Sequence, residues 1–275
     1  MTNNDQTILV IGGTGKTGRR VVDRLTERKI PVRVGSRSGT PRFDWGDRET
    51  WAPAFAGVRA AYVTFYPDLA VPGSPALIGD LARVAVGAGV THLVLLSGRG
   101  EEEAQASEAA FAAAVDGTGT AWTVVRASWF MQNFSEAFMA EGVRAGTLVL
   151  PAGAVPEPFV DCDDIADVVV AALTGEAPSG RIYEVTGPRA LTFAEAAQEI
   201  AKAIGRDVTF VPVPLGAFAD EMRGYGVPDE EIELLRYLFG EVLDGRNVDT
   251  TTGVREALGR EPRDFAEYAR TAAWN

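Results

Sequence analysis

Cysteine and histidine are almost missing from these 275 residues: Cys162 and His92 are the only members of their kinds. One thiol excludes an intrachain disulfide and a thiolate metal cluster, and a lone imidazole at the start of an apolar run argues against a metal site or a serine–histidine catalytic unit. Positive charge is also in short supply. Lys and Arg number 26 against 38 Asp and Glu, a formal net charge of -12, which opposes broad contact with phosphate backbones or anionic lipid. No apolar stretch reaches the roughly 18 residues of a bilayer span. Met1 to Gln6 is polar, with neither a basic n-region nor an apolar h-region. A cytoplasmic protein that touches neither nucleic acid nor membrane is expected.

What the chain does have is apolar bulk, at 46% of residues, enough to bury a full core in one large domain with a small appendage. Thr7-Ile8-Leu9-Val10-Ile11 reads as a central strand covered on both faces. Residues 17–28 follow as an amphipathic helix with Val21, Val22 and Leu25 on its inner side. Strands at 31–35, 60–65, 93–97 and 122–126, separated by helical stretches around 48–55, 75–87 and 102–115, extend a β-α-β rhythm to five parallel strands. Residues 147–150 and 181–185 add strand patterns, and a helix opens at Asp163 or Asp164. Thr192 and Glu195 form a capping box for the next helix, which Gly205 ends. Val208 to Val213 suits an edge strand because Pro212 cannot donate to a ladder. Helices at 230–242 and 264–272 close the chain. The fold class is α/β: a Rossmann-type parallel sheet sandwiched by helices, with a small, mainly C-terminal α/β lobe. Residues 1–150 are expected to bind a dinucleotide, 151–190 to contribute to both parts, and 191–275 to form mainly the substrate lobe.

Gly12, Gly15 and Gly18 recur at a three-residue spacing between the first strand and the first helix. One glycine serves the tight turn, one the close approach of backbone to phosphates, and one the packing of helix on strand. The first-turn amides of the helix then face a pyrophosphate, which makes Gly12, Thr14, Gly15, Lys16, Thr17 and Gly18 the expected phosphate-side residues. Gly15-Lys16-Thr17 also ends a Walker A loop, but that loop needs a glycine where this chain has Val10 inside the strand, and the third strand lacks a terminal aspartate for magnesium. NAD-binding proteins usually end the second strand on an acidic residue that repels a 2'-phosphate. Here the sequence is Gly35-Ser36-Arg37-Ser38, so Ser36 and Arg37, with Arg33, Lys16 and Arg42 nearby, point to NADP(H).

Sequence stretches across nearly the whole chain resemble the NmrA-like branch of the atypical short-chain dehydrogenases. They are the 12–18 turn, Phe55-Ala56-Gly57-Val58, His92 to Ser97, Trp122 to Phe134, Phe159 to Ala166, Gly180 to Gly187 and Leu258 to Phe265. That branch includes NADPH-dependent quinone reductases and the ergot-alkaloid reductases of the festuclavine synthase and agroclavine dehydrogenase type. The resemblance implies a nicotinamide near Phe65 and Ser97, with Asp44 and Trp45 near the adenine. It also exposes a departure. Ordinary short-chain dehydrogenases carry Tyr-x-x-x-Lys, whereas Ala104 and Glu108 stand near those positions and no such motif exists in the chain.

The catalytic expectations follow from that gap. Ser97 orients the acceptor together with a water, and Tyr66 or Tyr225 covers the substrate or replaces the missing phenol. Trp129, Phe130, Asn133 and Phe134, emerging after the fifth strand, are expected to contact substrate, although Phe130 and Phe134 are also spaced to anchor a helix. Acceptors that need little acid help fit best: an iminium ion, a quinone or an activated alkene, in general a small aromatic or conjugated molecule. Nonenzymic regulators occur in the resembled family, so a noncatalytic NADP(H)-sensing interaction protein stands as the alternative, with an isomerase or cyclase third. Homodimer formation is left open. His92, the run Glu101-Glu102-Glu103, and Asp161, Asp163 and Asp164 read as structural: a strand residue, first-turn charge, and helix caps or dipole partners.

Overall fold

Residues 7–274 of the chain are described in the computed structural model, so the leader reading for Met1 to Gln6 lies outside them. The chain packs as two units. Among the described residues, the first comprises 7–127, 162–185 and 253–260, and the second 128–161, 186–252 and 261–274. Both are discontinuous, where the sequence reading has continuous segments divided at 150 and 190.

The first unit is built on a six-stranded, all-parallel sheet in the order β2-β1-β3-β4-β5-β7. Its strands are β1 (Ile8–Ile11), β2 (Val32–Gly35), β3 (Ala60–Val63), β4 (His92–Gly98), β5 (Ala121–Ala127) and β7 (Arg181–Val185). β1 and β3 are buried along their whole length, which is why their sequences are apolar throughout rather than alternating. Helix α1 (Lys16–Glu27) buries Val21 and Leu25, and α7 (Cys162–Thr174) buries almost every residue. These two helices are joined by charge: Arg24 donates to Asp163 Oδ1 at 2.7 Å and to Asp167 Oδ1 at 2.5 Å, and Arg20 reaches Asp163 Oδ2 at 3.3 Å. α2 (Trp51–Phe55), α3 (Ser74–Gly87) and α4 (Glu102–Val115) share a core of Trp51, Phe55, Ile78, Leu81 and Phe111 with Leu93 and Leu95 of β4. Ser74 and Ser107 hydrogen-bond at 2.9 Å inside it.

The second unit holds α5 (Asn133–Glu136), α6 (Met139–Ala145), β6 (Thr147–Leu150), α8 (Phe193–Ile204), β8 (Thr209–Pro212), α9 (Leu215–Gly224), α10 (Asp229–Tyr237) and α12 (Phe265–Thr271). β6 pairs in parallel with β8 in a sheet of two strands, so residues 147–150 do not extend the dinucleotide-type sheet. Pro212 ends β8 opposite Leu150, in keeping with an edge. The capping box of α8 is present in full, with Thr192 Oγ1 accepting from the Glu195 amide and the Glu195 carboxylate accepting from the Thr192 amide. Phe134, Phe159, Phe193, Phe239 and Phe265 form an aromatic core in which rings meet largely edge to face. The 230–242 helix expected from periodicity is α10 followed by a π-type turn at 238–242. Two short helices went unread in the sequence, α9 and α11 (Gly253–Leu258). No helix among the described residues is long and apolar enough to cross a membrane.

Candidate functional site

Strand order reverses between β1 and β3, and the site begins at their carboxyl ends. Thr64 Oγ1 donates to the Ile11 carbonyl at 3.0 Å across that point. Gly12 has φ +72°, and a Cβ there would lie 2.1 Å from Thr64 Oγ1. A Cβ on Gly18 would lie 2.2 Å from the Gly12 carbonyl oxygen, so helix α1 reaches the turn only because residue 18 has no side chain. Gly15 N–H donates to Gly12 O at 2.9 Å and closes the turn. Gly15 is the N-cap of α1, makes no side-chain cap, and is followed by a first turn without an acid. Thr14 and Gly15 are exposed. This set of amides, glycines and positive helix end fits the pyrophosphate of a dinucleotide. Thr17 is buried, and its hydroxyl accepts from Tyr62 Oη at 3.0 Å. The Tyr62 phenol is pushed well up by burial.

At the end of β2, Ser36 is half-buried and Arg37 exposed, while the Ser36 carbonyl accepts from the amides of Gly39 and Phe43. Two of the neighbouring cations hold the scaffold instead. Arg33 donates to the carbonyls of Ala54 and Ala56 at 2.7 and 2.8 Å, and Arg42 is paired with Asp44 and Asp47. The Asp44 carboxylate accepts from the Gly46 amide at 3.0 Å, and this bond and Arg42 hold it below the usual carboxylate range. Trp45 packs against Phe43, Trp51 and Phe65, with Nε1 donating to the Thr64 carbonyl at 3.2 Å.

Ser97 is the next-to-last residue of β4, one residue before the strand's end where the sequence pattern stops on it, and its hydroxyl is buried with no hydrogen-bond partner. The neighbouring group is one that sequence reasoning missed. Glu101 is 7% exposed rather than a solvated first-turn charge; Glu102 is exposed, and α4 starts there. The Glu101 carboxyl lies over Gly98, where a Cβ would come within 2.2 Å of Oε2 and 2.3 Å of Oε1. It hydrogen-bonds Asp68, a half-buried residue in the loop after β3, and Oε2 is left without a partner. Burial and the Asp68 charge raise the Glu101 pKa well above the glutamate range, and burial raises Asp68 as well. The glycines at 98 and 100 were the readable signal, since a strand-end glycine leaves room for a neighbouring side chain to fold over the backbone.

Glu108, near the position where the resembled enzymes carry lysine, is bound by Arg126, which also donates to Glu184 Oε2 at 3.2 Å; Arg99 donates to Glu184 Oε1 at 2.5 Å. His92 Nε2 meets Thr123 Oγ1 at 3.0 Å, and burial lowers its pKa, as a strand residue should. Asp163 and Asp164 lie in the first turn of α7, and Asp161, just before it, accepts from Gln132 Nε2 at 2.7 Å through Oδ1.

In the second unit, Phe134 is fully buried in the aromatic core. Its expected role as a substrate contact is therefore corrected to that of an anchor. Trp129 is half-buried against Phe193 and Phe239, Phe130 bridges Val160, and Asn133 opens α5 half-buried. Tyr66 of the first unit and Tyr225 of the second are both largely exposed, at 68% and 74%. Tyr225 caps α9, and its hydroxyl lies 3.3 Å from Glu221 Oε1.

Sheet order and glycine turn define a Rossmann-type α/β protein. The chain belongs to the NmrA-like family, whose model matches residues 4–269. It is 31% identical to an NAD(P)H azoreductase of Xenophilus azovorans over 97% of this chain and 98% of the relative. It is also 31% identical to an agroclavine dehydrogenase of Claviceps fusiformis over 95% and 96%. The structure of an NADPH-dependent quinone oxidoreductase from Escherichia coli, complexed with NADPH, matches with a TM-score of 0.77 at 20% identity, covering 95% of this chain and 98% of that one.

Proposed function

We propose that this chain is an NADPH-dependent reductase of small conjugated organic acceptors: iminium ions, quinones or activated alkenes. The observation that carries the reading is the uncapped start of α1 behind the Gly12–Gly18 turn, with Ser36 and Arg37 at the end of β2. The family membership and the reductase names of its relatives support it. Thr14, Gly15 and Lys16 hold the pyrophosphate through backbone amides and one ammonium, and Ser36 and Arg37 hold the 2'-phosphate. The bound reduced cofactor supplies hydride. Trp45 and Phe65 wall the nucleotide, and Ser97 positions the acceptor through its hydroxyl.

The test is substrate-dependent NADPH oxidation by the purified chain against a panel of cationic and neutral conjugated acceptors. Reproducible oxidation of at least one acceptor supports the reading. Tight NADPH binding with no oxidation across the panel, together with partner capture that depends on the cofactor's redox state, transfers the site to a sensor, the reading favoured by the absence of Tyr-x-x-x-Lys.

A further inference from the structure

Two buried polar atoms among the described residues have no hydrogen-bond partner, Ser97 Oγ and Glu101 Oε2. Ser97 is the next-to-last residue of β4 and Glu101 the N-cap of α4, and Gly98, over which the Glu101 carboxyl lies, has no side chain to fill the space. A carboxyl oxygen and a hydroxyl left without a protein partner cost stability with no structural return. Both atoms are accounted for if a ligand atom completes them. The Glu101 carboxyl also hydrogen-bonds Asp68, and two carboxyls in such contact hold a single proton more firmly than either does alone.

From this geometry we propose that Asp68 and Glu101 form a proton-sharing carboxyl pair and that Glu101, through Oε2, is the proton donor to the reduced acceptor, in the role a tyrosine has in ordinary short-chain dehydrogenases. The proposal rests on the reductase reading above. For a neutral acceptor the balance is one hydride from the reduced dinucleotide and one proton from Glu101; the O–H bond of the carboxyl breaks, an O–H or C–H bond forms on the product, and the pair regains its proton from water. For a cationic acceptor the hydride alone neutralises the charge, and no proton is consumed. Glu108 and Lys16 also act on the pair: the Glu108 charge disfavours an anionic Glu101, and the Lys16 ammonium favours an anionic Asp68. Glu108 is in turn held by Arg126, and Arg99 is held by Glu184. The pair thus faces one carboxylate, which favours a protonated Glu101, and one ammonium, which favours an anionic Asp68.

Two measurements test this. The first needs no cofactor: infrared titration of the resting protein follows the carbonyl stretch of a protonated carboxylic acid. The band is expected at neutral pH in the parent chain, absent in Glu101→Gln, and lost at lower pH in Asp68→Asn, where the neighbouring charge is gone. A band that persists in Glu101→Gln, or none in the parent chain, overturns the pair. The second compares single-turnover reduction of 1,4-benzoquinone with that of crystal violet, a permanently cationic triarylmethane dye, at saturating NADPH. Glu101→Gln is expected to lower the quinone-to-dye rate ratio by at least about tenfold, with the alkaline limb of the quinone profile removed. If that variant does not fold, Asp68→Asn carries the same comparison and is expected to shift the limb to lower pH. Equal loss on both acceptors, or none on either, overturns the donor role. A parent chain that oxidises NADPH with neither acceptor overturns the reductase reading, while the infrared band still decides the pair.

Discussion

Arg37 separates the two dinucleotides at the scale of one side chain. It is exposed at the end of β2, beside Ser36 and without an acid at the strand terminus. Replacing it by alanine is expected to weaken NADPH by about tenfold to a hundredfold, the worth of a hydrogen bond to a charged group, and to change NADH by less than about threefold; paired calorimetric titrations check this. Glu101 has a signature in stability as well. Its pKa is raised in the folded state, so the fold binds more protons than the unfolded chain above the ordinary glutamate range, and the stabilisation present in acid is lost as pH rises through the raised value. Asp44, Asp163 and Asp264, held down by guanidinium partners or amides, act in the opposite direction and lose their contribution only in strong acid. Urea unfolding across pH is expected to show stability falling above the glutamate range in the parent chain, with a flatter profile in Glu101→Gln. An identical slope in both would remove Glu101 as its source.

Helix α1 is the element on which the site depends. Gly18 lies where a Cβ would press into a backbone carbonyl 2.2 Å away, and backbone cannot yield as the end of a side chain can. Gly18→Ala is expected to cost about 1–3 kcal/mol of stability and to abolish measurable dinucleotide binding, read by chemical unfolding and by titration. Helix α7 depends on charge: Asp164 is fully buried, and Arg260 donates to it at 2.8 Å and to Asp167 at 2.5 Å. Arg260→Met is expected to destabilise the fold by about 1–3 kcal/mol, below the range for a fully buried pair because the guanidinium is partly exposed. The turn, the six strands and the capping box of α8 were legible because each has a local signature of spacing or apolar pattern. Glu101 was not, because its burial is set by the approach of residue 68 from another loop, and a glutamate before a helix looks the same in sequence whether dry or wet. Phe134 was half legible: its spacing to Phe130 fitted an anchor as well as a pocket wall. The short α11 has Val254 as its one buried apolar side chain, beside Gly253, where a Cβ would lie 2.1 Å from the Glu184 carbonyl oxygen, and so offers no period to read.

Across the whole molecule, a net charge of -12 surrounds a turn chemistry that suits a polyanion. Local amides and a few cations must therefore outweigh a repelling background, and added salt screens both. The division of the fold into two discontinuous units could not be read from composition, since the chain leaves the first unit at residue 127, returns at 162, leaves at 185 and returns at 253; only packing reveals those crossings. The central claim is that the Gly12–Gly18 turn and the Ser36–Arg37 strand end together receive NADPH. Isothermal titration of the purified chain with NADPH and with NADH under one set of conditions tests it most directly. One site per chain with NADPH bound at least about tenfold more tightly than NADH is the predicted result, and no binding of either, or tighter binding of NADH, would contradict it.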